Sequence, residues 1–133
     1  MILAINTIER NTIELGIADK KIELFEYETK DQSKDILNKI EHLLKSQKKS
    51  LHDVEAIAVN QGPGSFTGVR VGIAVVNTLA WSLNIPVLGY REGKLEDTIV
   101  KIPNKKFSKI VLPYYPKRKK WYNVIQGVIL FFA

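Results

Sequence analysis

The run Gln61-Gly62-Pro63-Gly64-Ser65-Phe66-Thr67-Gly68-Val69-Arg70-Val71-Gly72 constrains this chain more than any other segment. Gly64, Gly68 and Gly72 stand four residues apart, and Val76 and Ala80 continue the row. On a helix such positions form one stripe, here almost bare of side chain in its first turns. A glycine inside a helix costs about 1 kcal/mol relative to alanine. The stripe therefore implies that another backbone comes close, from a sheet beneath or from a helix of a partner. The rest of the helix is apolar nearly all round, with Phe66, Val69, Val71, Ile73, Val75, Leu79, Trp81 and Leu83. A helix of that kind is buried on most sides. A chain of 133 residues has few elements to bury it with. The expectation is that another subunit covers its outer face; the alternative is that residues 93–133 fold over it.

The segments around this helix give an order of elements. Met1 to Asn6 is a short apolar strand, Thr12 to Ala18 alternates as a half-wet strand, and Ile22 to Tyr27 makes a third. With tight turns between them, these form an antiparallel meander. A helix over 33–47 follows, capped by Asp31 or Ser33, with Ile36, Leu37, Ile40, Leu43 and Leu44 at helical spacing. Val54 to Val59 is a buried strand, Asn60 to Gly64 a loop, and Ser65 to Leu83 the second helix. Asn84-Ile85-Pro86 stops it, and Val87 to Tyr90 is a fifth strand. Beyond Tyr90, Lys94 to Lys101 suggests a short helix and Ile110 to Tyr115 an edge strand ended by Pro113. The order β-β-β-α-β-α-β predicts one mixed five-stranded sheet covered by helices, the α/β half-domain of ribonuclease H-like and actin-like proteins. The domain reading is a core over 1–92 and a basic segment over 93–133, with any second lobe largely missing.

A glycine-rich loop between a strand and a helix invites a phosphate reading, because the free N–H groups and the helix dipole there favour anions. Thr7, Gly62, Gly64 and Ser65 are the candidates for nucleotide or phosphate contact. The fit to phosphate loops is poor. No lysine follows Gly68, the third glycine is one residue late for a dinucleotide fingerprint, and Pro63 removes an N–H. Ser65 is better placed as a helix N-cap.

Charge is unevenly spread. Residues 1–97 hold 12 Lys/Arg against 14 Asp/Glu, whereas residues 98–133 hold 8 Lys/Arg and no acid. Lys117, Arg118, Lys119 and Lys120, with Tyr115, Trp121 and Tyr122 nearby, form a candidate RNA contact through phosphate charge and base stacking. There is no cysteine, which excludes disulfides, thiol nucleophiles and Cys-ligated metal. Met1 to Thr7 reads as a strand rather than a leader. The apolar end Val128 to Ala133 falls far short of the ~20 residues a bilayer requires. A cytoplasmic protein without membrane contact is expected.

The glycine run is similar to the signature of the TsaB family, once called YeaZ. Ile2-Leu3-Ala4-Ile5-Asn6-Thr7, Leu51-His52-Asp53-Val54-Glu55-Ala56-Ile57-Ala58-Val59 and Pro86-Val87-Leu88-Gly89 support it. The resemblance covers about residues 1–91. Ile110 to Tyr115 looks like the Pro-x-Tyr end of the family. It implies an actin-like fold and a non-catalytic scaffold role beside the catalytic paralogue TsaD. That complex places threonylcarbamoyl on the adenosine beside the anticodon of tRNA. It also implies TsaE as a further ATPase partner, tRNA bound through the complex, a homodimer when alone, and ATP or ADP at a complex interface rather than a cofactor of its own. Pairing would run through a helix bundle of the two helices. The residues expected at that interface are Ile36, Ile40, Leu43, Leu44, Gly64, Phe66, Gly68, Val69, Gly72 and Val76. Two positions depart from the family pattern: Asn6 stands where an Asp is usual, and Gln32 where a His is frequent.

No catalyst is assigned. His42 lies mid-helix and His52 in a connecting turn, and neither pairs with an acid at metal-ligand spacing. Ser65 and Thr67 have no assignable base, and Asn6 removes the first carboxylate that ribonuclease H-type chemistry requires. No metal site is expected.

Overall fold

The computed structural model describes residues 1–91 and 110–114. Five strands form one sheet: β1 (Ile2–Asn6), β2 (Thr12–Ala18), β3 (Ile22–Glu28), β4 (Ala56–Asn60) and β5 (Val87–Tyr90). Their spatial order is β3-β2-β1-β4-β5. The meander β1–β2–β3 is antiparallel, whereas β4 runs parallel to both β1 and β5. The expected order of elements and mixed sheet are those observed. β4, flanked by β1 and β5 and parallel to both, is buried at every position.

Two helices connect the strands, α1 (Gln32–Ser46) and α2 (Phe66–Leu83). Asp31 caps α1, its side chain accepting from the N–H of Lys34; Ser65 caps α2, accepting from that of Gly68. Asn84, in the left-handed conformation, ends α2 ahead of Pro86. Both helices press on one sheet face. There Leu3, Ile5, Ile13, Leu15, Ile57, Val59 and Val87 meet Ile36, Ile40, Leu43, Leu44, Val69, Ile73 and Val76 in one core. Ala4, Ala58, Leu88 and Tyr90 gather on the opposite face.

Three expectations are corrected. The strand expected from Val54 starts at Ala56, and Val54 follows a short 3-10 turn (Leu51–Asp53). Val54 itself is buried against the core. Residues 110–114 pair with no strand. Asn77 bonds both the N–H and the carbonyl of Val111, at 2.9 and 2.8 Å, and Gln61 donates to the Leu112 carbonyl at 2.8 Å. Side-chain amides thus hold most of this segment, joined by one main-chain bond from the Tyr114 N–H to the Gln61 carbonyl at 2.9 Å. The third correction concerns α2, which is not buried all round. Its buried stripe is Gly68, Val69, Gly72, Ile73, Val76 and Ala80, while Trp81 is 84% and Phe66 59% exposed. By length and composition α2 could cross a membrane, but in this fold its buried stripe is core. The expected helix over 94–101 and the basic residues Lys117, Arg118, Lys119 and Lys120 lie outside the described residues.

Candidate functional site

The glycine stripe has an intramolecular cause. The loop between β1 and β2, residues 7–11, lies against the start of α2. A Cβ at Gly64 would stand 2.6 Å from Ile8 Cβ and 2.7 Å from the Ile8 carbonyl. One at Gly68 would strike the Thr7 carbonyl, and one at Gly72 the Thr7 hydroxyl. Thr7 is buried, and its Oγ1 donates to the Gly68 carbonyl at 2.6 Å. The Ser65 N–H donates to the Ile8 carbonyl at 2.7 Å. The close-approaching backbone is therefore the chain's own loop and not a partner helix.

This relocates most of the expected interface. Ile36, Ile40, Leu43, Leu44, Val69 and Val76 are 0–2% exposed, packed on the sheet. Gly68 and Gly72 are buried under the loop, and Gly64 is exposed at its edge. None of the buried eight can touch a partner, because their surfaces are already used in folding. Of the expected interface residues, only Phe66 presents a large apolar side chain outward. The outer faces of the helices offer others: Leu37 at 53% exposure on α1 and Trp81 at 84% on α2. Arg70 stacks its guanidinium over the Phe66 ring at 5.0 Å. Phe66, Arg70, Ala74 and Trp81 run along one outward side of α2, by the same periodicity that puts the glycines inside. Most of the residues expected at an interface lie on the side of the helix that meets the sheet, which a count of apolar residues does not reveal.

The expected nucleotide position fares worse. The Thr7 hydroxyl is engaged with Gly68, and the Ser65 hydroxyl caps α2 at 3.3 Å from the Gly68 nitrogen. Gly62, at a φ of 103°, turns the chain toward Pro63, with its N–H held by the Asn60 side chain at 2.9 Å. Asn6 accepts from the Ile8 N–H at 3.1 Å and donates to Glu14 at 3.2 Å. Asn6, Glu14 and Glu26 sit in register across β1, β2 and β3. With Glu9 and Thr12 they line a cavity of about 140 Å³. A cavity lined by three carboxylates repels a phosphate unless a metal intervenes. Among the described residues no group of three metal-type side chains is close enough to hold one. The residues lining this acidic cavity do not fit a nucleotide phosphate. Further along the sheet Tyr90 is buried and its hydroxyl has no partner among the described residues. Burial, and secondarily the Glu14 carboxylate, push that phenol far above its usual range.

Residues 26–93 match the family described as "TsaD: tRNA N6-adenosine threonylcarbamoyltransferase". The chain is 38% identical over 90 residues to the tRNA threonylcarbamoyladenosine biosynthesis protein TsaB of Bacillus subtilis, covering 64% of this chain and 39% of that protein. It is 38% identical over 65 residues to TsaB of Escherichia coli, covering 49% of this chain and 28% of the relative. The solved structure of YeaZ from Pseudomonas aeruginosa superimposes with a TM-score of 0.63 at 30% identity, over 68% of this chain and 44% of that one. The chain thus spans less than half the length of these relatives. The stretch matched by the family model contains the glycine-rich turn, both helices, β4 and β5. The chain belongs to the TsaD family of tRNA N6-adenosine threonylcarbamoyltransferases, as a member of the TsaB (YeaZ) kind.

Proposed function

We propose that this chain is a non-catalytic scaffold subunit in tRNA threonylcarbamoyladenosine biosynthesis, docking on and activating a TsaD-type catalytic paralogue in the cytoplasm. The observation that carries this reading is the division of labour on the helices. Their inner stripes are consumed by the sheet and by the β1–β2 loop, while Leu37, Phe66 and Trp81 remain outside in a chain of TsaB kind. Large apolar side chains on the outer faces of two adjacent helices suit a helix-on-helix contact with a related fold. When the chain is alone, the same faces pair two copies. Any ATP or ADP is held with residues of the complex, since Thr7 and Ser65 spend their hydroxyls on the fold. TsaE joins through surfaces that the paralogue completes.

The test is co-purification with the paralogue of the same organism. Trp81→Glu together with Leu37→Glu abolishes the complex and leaves the fold intact if the reading holds; an unaffected complex refutes it.

A second reading rests on the charge of residues 98–133, with 8 Lys/Arg and no acid. A tail of that kind, with Lys117, Arg118, Lys119 and Lys120 beside Trp121 and Tyr122, binds tRNA in a salt-sensitive manner. Deleting residues 116–133 then removes tRNA binding and leaves pairing with the paralogue.

A further inference from the structure

The first residue of α1 holds the β1–β2 loop by an unusual arrangement. Gln32 Nε2 donates to three main-chain carbonyls, those of Thr7 at 3.2 Å, Glu9 at 2.8 Å and Thr12 at 2.7 Å. An amide nitrogen carries two protons. Three carbonyl oxygens turned toward one such donor are held there against their mutual repulsion. Gln32 Oε1 lies 3.0 Å from where a Gly68 side chain would begin, so the same amide also abuts the first turn of α2.

The loop so gathered is fastened to both helix starts. On the α2 side, the Ile8 carbonyl accepts from the Ser65 N–H at 2.7 Å, and the Thr7 hydroxyl donates to the Gly68 carbonyl at 2.6 Å. On the α1 side, the Asn11 carbonyl takes the Thr29 N–H at 3.0 Å, and the Thr29 hydroxyl receives the Asp31 N–H at 3.1 Å. One loop thus sets the depth and direction of the first turns of two helices. Those turns lead to the exposed apolar residues Leu37 on α1 and Phe66 on α2. Two helix faces meet a partner together only if their spacing is fixed beforehand, and fixing it beforehand lowers the ordering cost of association.

We propose that Gln32 is a positioning residue of the partner face: by drawing the Thr7, Glu9 and Thr12 carbonyls onto one nitrogen it locks the β1–β2 loop, and the loop sets the spacing of α1 and α2 that a partner reads. This rests on the pairing reading above. The chemistry at position 32 must be a hydrogen-bond donor, and an acceptor there opposes all three carbonyls.

The experiment compares Gln32→Glu and Gln32→Lys in the full chain. Glutamate has the volume of glutamine but no donor when ionised, whereas the lysine ammonium has three donors on a flexible stem. Two readouts are taken. Amide exchange is followed at Ile8, Thr29 and Ser65, whose N–H groups bond within or onto the loop, with Ile57 in the sheet as reference. Affinity for the TsaD-type paralogue is measured by calorimetry. Gln32→Glu is expected to speed exchange at those three amides, leave Ile57 unchanged, and weaken the paralogue about tenfold. Gln32→Lys is expected to keep both near wild type. Identical behaviour of the two variants overturns the donor argument. A Gln32→Glu chain whose loop exchanges fast yet binds the paralogue as wild type overturns the positioning role. If the wild-type chain itself fails to bind, the pairing reading falls and takes the partner-face role with it. The exchange data alone then decide whether Gln32 locks the loop.

Discussion

Replacing Gly72 by alanine gains helix propensity, about 1 kcal/mol, yet should destabilise the chain. The new Cβ strikes the Thr7 hydroxyl. That hydroxyl cannot swing away freely, because it is buried and bonded to the Gly68 carbonyl at 2.6 Å. Forcing an added methyl into a packed site costs about 1–3 kcal/mol, and breaking a buried hydrogen bond costs a similar amount. The net expectation for Gly72→Ala is a loss of about 1–5 kcal/mol after the propensity gain. Thr7→Ala alone loses the hydrogen bond, about 1 kcal/mol. The double variant is different. With the hydroxyl gone, the nearest remaining atoms are the residue 7 Cβ and Val59 Cγ2, both at 3.6 Å, an ordinary contact. The clash vanishes and the propensity gain stays, so the pair should be no less stable than Thr7→Ala. Urea denaturation of the four proteins gives the coupling energy, expected to be favourable by at least about 1 kcal/mol. Additivity within about 0.5 kcal/mol would refute the claim that the loop occupies the stripe. Gly68→Ala is the control, since it meets the Thr7 main-chain carbonyl, which no side-chain change at position 7 removes.

Trp81→Lys, at a residue 84% exposed, should change stability by less than about 0.5 kcal/mol and yet impair pairing with the paralogue; thermal melts and chromatography separate the two. Asn77→Leu deletes both bonds to Val111 and should free residues 110–114 from the core, at about 1–3 kcal/mol, seen as faster proteolysis near Val111. Asp31 titrates below the usual carboxylate range, through the Ser33 hydroxyl first and the Lys34 N–H next. Its folded pKa is depressed, so its stabilisation is present above the unfolded value of about 3.9 and is lost as pH falls through the folded value. Asp31→Asn keeps an N-cap acceptor and should flatten that acid limb in a pH series of denaturation midpoints.

The order of elements was legible because each run carried its own period: alternation in Thr12 to Ala18, helical spacing at Ile36, Ile40, Leu43 and Leu44, punctuation at Asn84 and Pro86. The glycine stripe was legible as a close approach, but not the identity of what approaches. Thr7 and Ile8 lie some sixty residues before Gly68, and only the closed sheet brings them together. The same gap hid Gln32, which as a lone polar residue at a helix start reads as solvated until three carbonyls are seen around it. Asn77 is a lone amide on an apolar helix, and nothing in its sequence neighbourhood marks it as the hydrogen-bonding partner of Val111. The outward set was half visible. Phe66, expected at an interface, is exposed, as are Leu37 and Trp81, which read as ordinary apolar residues because direction on a helix cannot be fixed until the sheet is placed.

The central claim is that this chain pairs with a TsaD-type catalytic paralogue through the outer faces of α1 and α2. Chromatography with light scattering tests it directly, on the chain alone and mixed with the paralogue of its own organism. The account predicts a one-to-one complex that replaces any homodimer and is lost in the Leu37→Glu, Trp81→Glu double variant. Two independent peaks at the separate masses, with the wild-type chain folded, would contradict it.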